Sequence, residues 1–161
     1  MIEKDSTVVP LIVEGSDEVI TTTFAVISPA TGRTIHYSTS ASVSSACKAV
    51  AAAGAAFQVW SCMKPAARRN ILFKVADIAE ARKDELITTQ VEETAITRDE
   101  CEFGFNAGLE ILRDFAGRSL ALQGSVPLTA EDGQSAMIVK EPYGVVLSIV
   151  PWYERFKCFI T

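Results

Sequence analysis

Residues 141–152 read EPYGVVLSIVPW, and the fold class turns on how they are taken. Val145 to Val150 is an apolar run broken only by Ser148, so it has no polar face to turn toward water. A strand apolar on both sides belongs inside a sheet covered on both faces, which in α/β proteins is usually a parallel sheet. Upstream, Glu141-Pro142-Tyr143-Gly144 separates it from Met137 to Lys140, a second strand by composition. The rest of the 161 residues holds no further strand–helix–strand alternation to supply the neighbours such a sheet needs.

Toward the N-terminus the pattern is strand-like. TVVPLIVEG (7–15) and VITTTFAVISPATG (19–32) are rich in Val, Ile, Thr and Phe and flank the polar Ser16-Asp17-Glu18. That arrangement predicts an antiparallel hairpin turning at 16–18, with Pro10 confining the first strand to an edge. Ser28-Pro29-Ala30-Thr31-Gly32 is a turn by chemistry, because proline fixes φ and glycine accepts a positive one. TIHYSTS (34–40) supplies another strand.

From Ser42 the period changes to that of helices. Val43, Cys47, Val50, Gly54 and Phe57 fall on one face of a helix that Ser42 can cap. Pro65 suits the first position of a second helix, where its missing N–H costs little, with Ile71, Leu72, Val75 and Ile78 as its buried stripe. Leu86, Ile87 and Val91 continue that pattern after the charged break Arg82-Lys83-Asp84. A third helix carries Cys101, Phe105, Leu109, Leu112 and Ala116 on one face, and Gly104 and Gly108 suit close helix packing.

Composition narrows the function. With 15 Lys and Arg against 20 Asp and Glu, a net charge of -5 and no basic cluster, a nucleic-acid binder is not expected. MIEKDSTVVP lacks the order of a signal peptide, and the apolar run Ala49 to Phe57 is far short of the roughly 20 residues that cross a bilayer. The expectation is a soluble, cytoplasmic chain without membrane contact. Cys47, Cys62, Cys101 and Cys158 are widely spaced and His36 is the single histidine, which predicts free thiols and no metal site. His36 lies in a strand-like alternation and reads as a surface or edge residue, while Glu92-Glu93 and Asp99-Glu100 read as solvated charges near helix ends. Neither G-x-x-x-x-G-K-[ST] nor G-x-G-x-x-G occurs, so no phosphate-cradling loop is expected in these residues.

EPYGVVLSIVPW resembles the aldehyde dehydrogenase superfamily segment E-P-x-G-V-V-x-x-I-x-P-W-N, and the rest follows in the family's order. FAVISPATG resembles its early strand and N-P-A-T-G turn. SVSSACKAVAAAGAAFQVWS resembles its first helix, PAARRNILFKVADIAEARKDELI its second, and ILRDFAGRSLALQG the helix before its oligomerisation strands. The resemblance covers about residues 8 to 152, and within the family it is nearest the aromatic-aldehyde group of vanillin or salicylaldehyde type.

The resemblance implies an α/β fold, of which this chain would form the N-terminal part and remain incomplete. Residues 1–135 would belong to the NAD(P)-binding domain, 136–144 to an oligomerisation-strand segment, 145–152 to the first nucleotide-domain strand, and 153–161 to a divergent tail. The family oxidises aldehydes to carboxylic acids with NAD or NADP. Ile149, Val150, Pro151 and Trp152 would line the cofactor cleft. The family's next residue is an asparagine that stabilises an oxyanion, an effect of roughly 3 kcal/mol in comparable sites. Here it is Tyr153, whose rigid phenol would place its donor elsewhere. The nucleophilic cysteine, the glutamate base and the pyrophosphate turn have no counterpart, and Cys158 reads as an incidental thiol. The chain is therefore expected to lack catalysis of its own. Its alternative role is an interaction module that forms homo-oligomers or pairs with full-length subunits.

Overall fold

The computed structural model describes residues 7–18 and 20–151. Five short strands come first: β1 (Val8–Val9), β2 (Leu11–Val13), β3 (Ser16–Glu18), β4 (Thr23–Ile27) and β5 (Thr34–Thr39). Four helices follow: α1 (Val43–Cys62), α2 (Pro65–Ala81), α3 (Lys83–Thr94) and α4 (Arg98–Arg118). Among the described residues no helix is long and apolar enough to cross a membrane.

The strands form two sheets. β5 lies in the middle of the larger one, parallel to β1 and antiparallel to β4, and among the described residues β2 pairs only with β3. The turn expected at Ser28–Gly32 does reverse the chain between β4 and β5. Gly32 takes φ +68° and donates its N–H to Ser28 O at 2.8 Å. The hairpin expected to turn at Ser16-Asp17-Glu18 is corrected, since those residues are strand β3 and the turn is Glu14-Gly15. Both turn residues have positive φ, 55° and 73°, and a two-residue turn needs exactly that sign to match the right-handed twist of its strands. Pro10 separates β1 from β2, as a residue without an N–H must in a ladder.

Helix termini follow the local chemistry. Ser42 Oγ accepts from Ser45 N at 3.0 Å and starts α1, and Pro65 opens α2. Thr97 and Glu100 form a reciprocal capping box on α4, so Glu100 closes a helix end instead of merely facing solvent. Ala95 ends α3 in the left-handed conformation.

The core is where α2, α3 and α4 meet. Ala76, Ile87, Cys101, Phe105, Leu109 and Leu112 bury one another, with Leu72, Ala79 and Leu86 packed around them. All five residues expected on the inner face of α4 are buried. Of the stripe expected on α2, Leu72 does turn inward and the other three residues do not. Leu72, Ala76 and Ala79 face the core, whereas Ile71, Val75 and Ile78 remain exposed. Small alanines let α2 and α4 approach closely, and the larger side chains are displaced to the flank. Arg113, bonded to Glu80 at 2.6 Å, ties the same two helices at the surface.

Beyond α4 the described residues, through 151, form no regular element. The fixed point of this stretch is the antiparallel bridge between Ser125 and Ile138, with N–H to O bonds of 3.1 and 2.8 Å. The strands expected at Met137–Lys140 and Val145–Val150 are not formed: only Ile138 is bridged, and 145–150 carries no ladder. A strand is defined by a hydrogen-bonded neighbour, and among the described residues none lies beside this segment.

Candidate functional site

The candidate cofactor wall begins where α4 has delivered the chain to the Ser125–Ile138 bridge. Gly144, at φ +99°, then turns it into Val145–Pro151. Positive φ is the reason this position holds glycine. Ile149 is 87% exposed, and Val150 and Pro151 are half-buried. Trp152, the fourth wall residue, lies outside the described residues, as do Tyr153 and Cys158. The three described residues adjoin along the chain, but no ionisable side chain is bonded to them among the described residues. The arrangement offers an apolar contact surface and no acid, base or nucleophile.

The described thiols do not alter this. Cys47 and Cys62 sit on the exposed side of α1. Cys101 is buried beneath α3, its Sγ 3.9 Å from Ile87 O. Burial pushes the Cys101 thiol up, outweighing the opposing pull of the Arg98 charge. A thiol that is both shielded and hard to ionise is a poor nucleophile. Under native conditions iodoacetamide is therefore expected to modify Cys47 and Cys62 at least about tenfold faster than Cys101, with peptide mass spectrometry as the readout. Equal labelling would show that the α3–α4 contact opens readily.

His36 and Glu93 depart from their expected places at the surface. His36 Nε2 lies 3.5 Å from Glu93 Oε1, with side chains only 17% and 8% exposed, so the pair joins the central strand β5 to α3. The sequence offered no signal for it, because the two residues are remote along the chain and each suits a surface pattern. Among the described residues no group of three or more His, Cys, Asp or Glu side chains is placed to hold a metal.

The residues present fit a dinucleotide only in part. The Ile149–Pro151 wall suits an apolar ring face, but a pyrophosphate needs free backbone N–H groups at a glycine-rich helix start. The N-termini of α1 and α4 are closed by Ser42 and Thr97, and α2 begins with proline, which has no N–H. α3 starts uncapped but carries Asp84 and Glu85 in its first turn, which repel an anion, so no helix start among the described residues is built as a phosphate grip.

Comparison with known proteins agrees with the architecture. The aldehyde dehydrogenase family model matches residues 15–154. Vanillin dehydrogenase of Pseudomonas sp. (strain HR199 / DSM 7063) is 39% identical over 151 residues, covering 89% of this chain and 30% of that protein. Salicylaldehyde dehydrogenase of Pseudomonas putida is 32% identical over 130 residues, covering 81% and 27%. Among solved structures, a salicylaldehyde dehydrogenase from Pseudomonas putida G7, complexed with salicylaldehyde, superposes with a TM-score of 0.84 at 26% identity over 96% of this chain and 34% of its own. The chain thus spans about a third or less of these relatives. With the match running from Gly15 in the β2–β3 turn through the apolar segment at 145–150, the chain belongs to the aldehyde dehydrogenase family.

Proposed function

We propose that these residues form the N-terminal part of the NAD(P)-binding domain of an aldehyde dehydrogenase and do not oxidise aldehydes by themselves. The observation that carries this reading is the apolar segment 145–150. Its residues match the family pattern, yet Leu147 and Ile149 are more than four-fifths exposed. A fold of this family that worked as a catalyst would enclose them in its nucleotide-binding sheet. Ile149, Val150, Pro151 and Trp152 are the side chains that would then contact NAD or NADP, while 136–144 would serve as an oligomerisation-strand segment and 153–161 as a tail. The cytoplasm is the compartment that suits free thiols at Cys47 and Cys62. Aromatic aldehydes are the favoured substrate class for the complete activity, supported by relatives named for vanillin and salicylaldehyde. A second reading, a non-enzymatic module that pairs with aldehyde dehydrogenase subunits, draws on the same exposed segment.

The test is an assay of the purified 161-residue chain with NAD and NADP against vanillin, salicylaldehyde and an aliphatic aldehyde, with calorimetry of cofactor binding in parallel. No aldehyde-dependent NADH or NADPH is expected, and no binding tighter than about millimolar. Turnover that survives repurification and vanishes in Cys158→Ala would overturn the proposal, as would micromolar dinucleotide binding.

A further inference from the structure

We draw no further inference here: the strongest candidate, the exposed apolar face of α1 around Val43, Val50 and Val59, carries none because nothing in the structure shows what covers it.

Discussion

Phe105→Ala is expected to remove a large fraction of the chain's stability and to lower its urea midpoint sharply. Phe105 is 2% exposed and lies on the inner face of α4 among Ala76, Ile87, Cys101 and Leu109. Removing a buried phenylalanine side chain typically costs about 3–5 kcal/mol, from lost transfer energy and from the cavity left behind. A domain of this size has only about 5–15 kcal/mol in total, and this core is thin, because much of the apolar surface of α1 and α2 is uncovered. The ring also sits 6.0 Å below the Lys83 ammonium, a contact that is lost with it. The comparison is Phe103→Ala two residues earlier, where the ring is 69% exposed and the cost should stay within about 0.5 kcal/mol. Urea unfolding followed by far-ultraviolet circular dichroism separates the two variants. Similar midpoints would mean that the α2–α3–α4 core does not hold the fold.

Gly124→Val should release the chain beyond α4. A Cβ built at Gly124 would lie 2.3 Å from Ile138 O and 3.4 Å from its carbonyl carbon. Both are backbone atoms, so no rotamer change relieves the clash and the bridge strand must move. The two Ser125–Ile138 hydrogen bonds would be lost, at about 0.5–1.5 kcal/mol each. Amide exchange at Ser125 and Ile138 is expected to accelerate by about tenfold or more, with little change in α2, α3 or α4. Unchanged exchange would show that the bridge is already open in solution. Gly133→Ala, at a turn with φ +79° and open space around it, separates backbone strain from the steric contact.

Much of the local structure was legible because its causes are local. Ser42 as a cap, Pro65 at a helix start, the SPATG turn and the inner face of α4 each follow from one residue's chemistry or from a 3.6-residue period. The family was legible too, since EPYGVVLSIVPW and the elements before it keep their order. Strand pairing was not. Whether Ser16–Glu18 is a turn or a strand depends on which two residues take positive φ, and Glu14 is an ordinary residue that shows no preference for it in the sequence.

Only the tertiary structure decided which apolar residues are used. Composition alone cannot tell Leu72 from Ile71, because both are aliphatic and adjacent. The close approach of α2 to α4 at Ala76 and Ala79 selects the first and leaves the second in water. His36 and Glu93 meet for the same kind of reason: β5 and α3 are brought together by packing. The segment leading into the candidate cofactor wall shows both kinds of cause. The sequence by itself determined that Val145–Val150 is suited to the centre of a sheet. The structure decided that among the described residues no strand pairs with it and most of it stays exposed, because a strand's partners are set by the rest of the fold and not by the strand.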